Sequence, residues 1–197
     1  MNIGIIGSGH IGGELGRLWA MQGHQIMFGT RNATSSKIKA LLEASPNAMA
    51  GTLQATVDSS QVLVVALPYK AMTETLGSLT GLDGKIIIDA TNKIPPTGSS
   101  SSLEIAALHP QADVVKAFNT IGGENFKQPV RNGIASSLLI AGDSSTAKTV
   151  VTALGTQLGF AVVDTGGLQN AELLEKLAVV WVGLSRTLGR AFTWKIL

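Results

Sequence analysis

Gly7, Gly9 and Gly12 stand in GxGxxG spacing within MNIGIIGSGHIG, behind the short apolar run Asn2 to Ile6 and ahead of an amphipathic pattern. Strand, glycine turn and helix in that order are the fingerprint of a dinucleotide site. Gly7 permits the tight turn, Gly9 lets backbone approach a pyrophosphate, and Gly12 lets helix and strand pack closely. Phosphates then sit on the helix amino terminus, where unpaired N–H groups and the dipole favour negative charge. The chain holds 23 glycines in 197 residues, so spacing alone carries little weight. The context carries it: Ile11, Leu15, Leu18 and Trp19 recur at helical spacing, and Gly23-His24 leads into a second apolar run, Gln25 to Phe28.

The end of that second run is the next place for chemistry. A site selective for NAD carries Asp or Glu there to hold the ribose 2′-OH. This chain has Thr30, Arg31 and Asn32 instead: a hydroxyl, a guanidinium and an amide, the donors suited to a 2′-phosphate. The plain alternative is a solvated arginine in a surface turn.

Groups for acid–base or metal chemistry are scarce. Histidine occurs at His10, in the glycine turn, and at His24 and His109, with no spaced partner that would make a triad or a metal site. No GxSxG motif or paired carboxylates appear, and with no cysteine there is no thiol chemistry and no disulfide. No catalytic side chain and no metal ligand are assigned. Hydride transfer tolerates this, because the cofactor carries the reaction and the protein orients two rings and excludes water.

Positioning these residues requires alternating strands and helices. Helices are predicted over Thr34 to Ala44, Ala71 to Leu79, Leu103 to Leu108 and Ser144 to Leu158, with a short one capped by Thr52. Strands are predicted at Asn47 to Gly51, Lys85 to Asp89, Asp113 to Phe118, Ser137 to Ala141 and Phe160 to Asp164. Gln61 to Leu67 (QVLVVAL) is a continuous apolar run, as in a strand buried on both faces of a parallel sheet. The predicted fold is α/β, a Rossmann-type, doubly wound, mostly parallel sheet in one domain over 1–197, with 169–197 as a helical elaboration. Ligands gather at the carboxyl ends of such strands, so Gly7 to Gly12, Pro68-Tyr69 and Thr91-Asn92 should line one crevice. The alternatives are a strand terminator for Pro68 and a turn residue for Asn92. Asn119-Thr120 is a fourth polar strand end. Pro95 to Ser102 reads as a surface loop, with a mobile lid as the alternative. In the last helix, Ala171 to Phe192, residues Leu173, Leu177, Val180, Leu184 and Leu188 share a face suited to core or dimer packing.

Charged residues make up 14% of the chain, against about 25% in ordinary soluble proteins. So little charge predicts surface buried in a homo-oligomer, most simply a dimer. The net charge of +2 without basic runs argues against nucleic acid and membrane surfaces and for a small anionic ligand. No signal peptide or membrane span is legible, which predicts a cytoplasmic protein.

The segments GSGHIGGELGRLWAMQGHQIMFGTRN, VVALPYKAM, IIIDATNKI, VKAFNTIGGENF and DTGGLQNAELLEKLAVVWVGL, in this order, resemble the NADPH-dependent coenzyme F420 reductase family. They are also similar to the oxidoreductase domain of the STEAP metalloreductases, which pass hydride from NADPH to a flavin. The resemblance implies that Ser8, Gly9, His10 and Ile11 meet the pyrophosphate and that Thr30 and Arg31, with Asn32 and Ser35 beside them, hold the 2′-phosphate. It implies that Leu67, Pro68, Ala71 and Asn92 surround the nicotinamide, and that Tyr69, Asn119 and Thr120 border the acceptor. A lysine that some members carry after the arginine is matched here by the Ser35 region, with Lys37 displaced. The implied activity is hydride transfer between NADP(H) and a deazaflavin (coenzyme F420) or a flavin (FMN or FAD). Two other readings stand beside it: a non-catalytic NADPH sensor, and a reductase of a small carbonyl or imine.

Overall fold

A computed structural model describes residues 1–196. The first three strands are β1 (Asn2–Ile6), β2 (Gln25–Gly29) and β3 (Ala48–Gly51), separated by α1 (His10–Met21) and α2 (Ser36–Glu43). Then follow α3 (Leu53–Ser59), β4 (Val62–Val65), α4 (Tyr69–Gly77), β5 (Ile86–Asp89), α5 (Ser101–Leu108) and β6 (Asp113–Lys116). A hairpin of β7 (Val130–Arg131) and β8 (Ile134–Ala135) precedes β9 (Ser137–Gly142), α6 (Ser145–Gln157), β10 (Ala161–Asp164) and α7 (Ala171–Leu188).

Eight strands form one sheet in the order β10-β9-β6-β5-β4-β1-β2-β3. From β3 to β6 every neighbour is parallel, and the direction reverses once, where β9 pairs antiparallel with β6. The fold is thus Rossmann-like α/β. Because the chain runs outward from β1 to β3 and then crosses back to β4, the order switches between β1 and β4. Ligand crevices open at such a point. The register there is Ile3 to Val62 through Ile6 to Val65, and all four β4 residues are buried, as a strand covered on both faces must be.

Helix starts follow local chemistry. Ser35, Thr52, Ser100 and Ser144 each accept a backbone N–H bond at the head of a helix, satisfying a donor that would otherwise be orphaned. One side of the sheet buries Trp19, Phe118, Phe126 and Phe160 edge to face, with centroids 5.6 to 6.3 Å apart.

Three segments differ from the sequence expectation. The serines of Pro95 to Ser102 are not simply a surface loop: Ser100 caps α5, and Ser100, Ser101 and Ser102 are buried. The hairpin β7–β8 is an addition to the predicted strands, although Asn132-Gly133, both at positive φ, is the dipeptide that favours a two-residue turn. Helix α7 ends at Leu188 rather than Phe192, and its buried face is Leu174, Glu175, Ala178 and Trp181. Most of the predicted leucine stripe faces outward, with Leu173 58%, Val180 50% and Leu188 61% exposed, while Leu177 is half-buried against Leu139, Ala141 and Leu174.

Candidate active site

At the switch point each glycine of the turn has its own spatial reason. Gly7 has φ +106°, and a Cβ there would lie 2.5 Å from the Ala66 carbonyl oxygen, so the loops leaving β1 and β4 cross in contact. A Cβ on Gly12 would lie 2.1 Å from the Gly7 carbonyl oxygen, which fixes how closely α1 seats on β1. A Cβ on Gly9 would meet nothing within 4 Å and would project into open space. No side chain caps α1, so its first N–H groups are left to a ligand. This cradle fits a pyrophosphate.

From the turn a cleft of about 760 Å³ runs to the end of β2. Gly7, Ser8, Gly9, Thr30, Arg31, Asn32 and Ser35 line it, together with Leu67, Pro68 and Ala71 on the β4 side. Asn32 folds its own turn, its N–H donating to Thr30 Oγ1 (3.1 Å) and its Oδ1 accepting from Thr34 N–H (3.1 Å) and Oγ1–H (2.9 Å). Arg31 is exposed and makes no hydrogen bond or ion pair among the described residues. Lys37, displaced by sequence spacing, also lines the cleft and adds a second cation. No carboxylate stands at the end of β2, where one would select against a 2′-phosphate.

The other predicted residues lie outside this cleft. His10 and Ile11 begin α1 beneath the 3-10 turn Gly123–Asn125, where a Cβ on Gly123 would lie 2.9 Å from both side chains. His10 Nε2 is 3.6 Å from Glu124. Burial pushes the Glu124 carboxyl up, but the Arg190 guanidinium, the residue's own backbone N–H and His10 outweigh it and hold the carboxyl below its usual range. Tyr69 heads α4 with its hydroxyl donating to Glu104 (2.9 Å). Lys93 Nζ lies 2.7 Å from Glu104 and 4.9 Å from the Tyr69 ring centroid. Glu104, and then Tyr69, hold the Lys93 ammonium above its usual range against burial.

Asn92 and Asn119 are joined across the ends of β5 and β6. Asn119 Nδ2 donates to Asn92 Oδ1 and Asn92 Nδ2 donates to the Asn119 carbonyl, each at 3.1 Å. Asn119 Oδ1 and Thr120 Oγ1 are buried without a partner among the described residues. They follow Phe118, a non-glycine residue at φ +61° held by the aromatic cluster. Backbone strain and unsatisfied polar atoms gather at functional sites. His24 and His109 are structural, bonded to Gln157 Oε1 (2.9 Å) and to the Leu76 carbonyl (3.2 Å).

Sequence reasoning missed a buried cluster below this pair: Lys116 between Asp89 (3.0 Å) and Glu175 (2.8 Å). A lysine inside the apolar run DVVKAF and an aspartate closing KIIID were the available signal.

Residues 2–93 match the family profile described as NADP oxidoreductase, coenzyme F420-dependent. Over these residues the chain is similar to that family. The F420-dependent NADP reductase of Methanothermobacter marburgensis is 26% identical over 208 residues, 94% of this chain and 92% of that protein. Metalloreductase STEAP3 of Rattus norvegicus is 30% identical over 183 residues, covering 89% of this chain, and the chain spans only 36% of that relative's length. A solved structure from Arthrobacter sp. FB24, provisionally assigned as an F420-dependent NADP reductase, superposes with a TM-score of 0.87 at 25% identity, over 100% of this chain and 99% of that one. The profile match ends at Lys93, so Asn119, Thr120 and α7 lie beyond it. Among the described residues no group of side chains is arranged to hold a metal, and no helix is long and apolar enough to cross a membrane.

Proposed function

We propose that the protein is an NADPH-dependent oxidoreductase that moves hydride between NADP(H) and a flat ring acceptor, a deazaflavin such as coenzyme F420 or a flavin. The observation that carries this reading is the cleft joining the uncapped glycine turn to the acid-free, doubly cationic end of β2. Ser8, Gly9, His10, Ile11 and Gly12 hold the pyrophosphate on the head of α1. Thr30, Arg31, Asn32 and Ser35, with Lys37, hold the 2′-phosphate.

NADPH, when bound, supplies the hydride. Leu67, Pro68, Ala71 and Asn92 orient the nicotinamide and exclude water from it. Tyr69, Asn119 and Thr120 border the acceptor. Hydride transfer between two rings is governed by distance and orientation, and the proton taken up by the reduced acceptor ring comes from solvent. The reading extends to a homodimer formed over the exposed stripe of α7, which light scattering tests.

Loss of NADPH absorbance, followed with coenzyme F420, FMN, FAD or no acceptor, tests the proposal. Rapid turnover with the deazaflavin supports the family's named acceptor, and turnover with flavin alone assigns flavin reduction. Tight NADPH binding without turnover in any mixture overturns the enzymatic reading in favour of a sensor.

A further inference from the structure

The cluster under the Asn92–Asn119 pair does not balance its charge. Asp89, Lys116 and Glu175 are each no more than 1% exposed. Lys116 Nζ has four acceptors within reach of its three hydrogens: Asp89 Oδ2 (3.0 Å), Glu175 Oε1 (2.8 Å), Ser101 Oγ (2.8 Å) and the Thr91 carbonyl (2.6 Å). Ser101 Oγ stands 2.5 Å from Asp89 Oδ2 and 2.7 Å from Glu175 Oε1, and its single hydrogen serves only one of them at a time. Ser102 Oγ donates to Asp89 Oδ2 (2.7 Å), and the Ser101 N–H donates to Glu175 Oε1 (3.0 Å). Two carboxyl groups share one amino group, so the formal charge of the cluster is one negative.

The next ion pair along these segments, Lys93 with Glu104 at 2.7 Å, is neutral in itself and supplies no compensation. The head of α5 faces the two carboxyl groups and its Ser101 N–H donates to Glu175, so the helix dipole offsets part of the excess and the remainder stands as a negative field beneath Asn92. The cluster grips Thr91 from both sides: Asp89 Oδ1 accepts the Thr91 N–H at 2.8 Å while Lys116 holds its carbonyl. Asn92 is the next residue. Its carboxamide is bonded to Asn119, which is itself anchored to the Leu174 carbonyl, one residue before Glu175.

We infer that the excess charge of Asp89, Lys116 and Glu175 favours the cationic nicotinamide ring of NADP+ over the neutral ring of NADPH. The cluster thereby sets the relative affinity of the two nucleotides and biases the direction of hydride transfer on the protein. This rests on the placement of the nicotinamide beside Asn92 proposed above. Asp89, Lys116 and Glu175 are positioning residues for the Thr91–Asn92 segment and act on the ring through their field.

The test is calorimetric titration of NADP+ and NADPH into the full chain and its variants. Glu175→Gln keeps the shape of the side chain and removes one negative charge. It should weaken NADP+ relative to NADPH by between about 2-fold and about 15-fold, the limits for one charge acting over roughly 10 Å at effective dielectric constants of about 80 and about 20. Lys116→Met should shift the same ratio the opposite way. Ser102→Ala loosens the cluster without changing its charge and should leave the ratio alone. Equal losses for both nucleotides in Glu175→Gln would reduce the cluster to a packing element and overturn the inference. An unchanged ratio would show that a bound proton already neutralises the site, and would overturn it as well. Asp89→Asn makes the same charge change should Glu175→Gln fail to fold. Failure of either nucleotide to bind the wild-type chain would instead overturn the proposed function itself.

Discussion

Replacing Arg31 by alanine isolates the basis of the 2′-phosphate reading. The side chain leaves the end of β2 exposed, touches no acceptor among the described residues, and lines the cleft with Lys37. Its loss should therefore cost the fold almost nothing. A charge-assisted hydrogen bond to a phosphate is worth about 1.5 to 3 kcal/mol, or roughly 10- to 150-fold in affinity. Exposure allows salt to screen it, and Lys37 remains to offer partial compensation, so a loss of about 10-fold at physiological ionic strength is expected for NADPH. NADH has no 2′-phosphate, and its affinity should stay within about 2-fold, a difference of about 0.4 kcal/mol. Fluorescence titrations of both nucleotides on wild type, Arg31→Ala and Arg31→Ala/Lys37→Ala measure this directly. The double variant should lose a further several-fold for NADPH alone, and the NADPH effect should shrink at high salt. Equal weakening of NADH and NADPH, or a lowered melting temperature in Arg31→Ala, would refute the argument, because either means that the guanidinium supports the loop rather than the phosphate.

The glycine turn separates binding from folding. A Cβ on Gly9 enters open space, so Gly9→Val should leave the melting temperature unchanged while nucleotide affinity falls at least 10-fold, about 1.4 kcal/mol. A Cβ on Gly12 meets the Gly7 carbonyl, so Gly12→Ala should destabilise the chain by about 1 to 3 kcal/mol in denaturant unfolding, whether or not nucleotide is present. Glu124 gives a pH test. Its folded-state pKa is lowered, so its contribution to stability is full above the usual carboxylate range and is lost as pH falls through the lower folded value. The melting-temperature difference between wild type and Glu124→Gln should therefore be largest near about pH 7 and shrink toward about pH 3; a gap that widens in acid would contradict the assigned sign.

What was legible in the sequence was whatever repeats with a period or needs a special backbone. The apolar run of β4, the glycine turn and the Thr52 cap each follow from chemistry within a few residues, and each appears where expected. Of the three strand ends expected to share one crevice, Gly7 to Gly9 and Pro68 line the cleft where β1 and β4 meet, and Thr91-Asn92 lies outside it. Contacts set by partners far along the chain were not legible. Ser101 and Ser102 look like loop filler until Asp89, 12 and 13 residues away, is placed beside them. The unpaired oxygens of Asn119 and Thr120 depend on Phe118 adopting positive φ, which no local pattern around DVVKAFNT demands. The bonds joining Trp194 Nε1 to the Thr120 carbonyl and Ser137 N–H to the Trp194 carbonyl span 74 and 57 residues and have no local signature.

Helix α7 shows why hydropathy alone does not tell which face turns to the core. Leu173, Leu177, Val180, Leu184 and Leu188 make the more apolar stripe, while the face that is buried lies one residue on and carries a carboxylate. One residue is about 100° around a helix, so both faces cannot point inward together. Turning the leucines in would take Glu175 away from Lys116 and from the Ser101 N–H, leaving an ammonium and an amide buried with fewer acceptors. Turning the stripe inward would exchange buried Leu174, Ala178 and Trp181 for the leucines, so the apolar gains and losses largely offset and the broken buried ionic contact, about 3 to 5 kcal/mol, decides. The turn would also withdraw Trp181, whose ring packs over Gly122 and under Arg190. The orientation of the last helix is thus decided by the charge cluster beneath Asn92 and by the loop that follows β6. Leu173, Val180, Leu184 and Leu188 are left outside as a consequence.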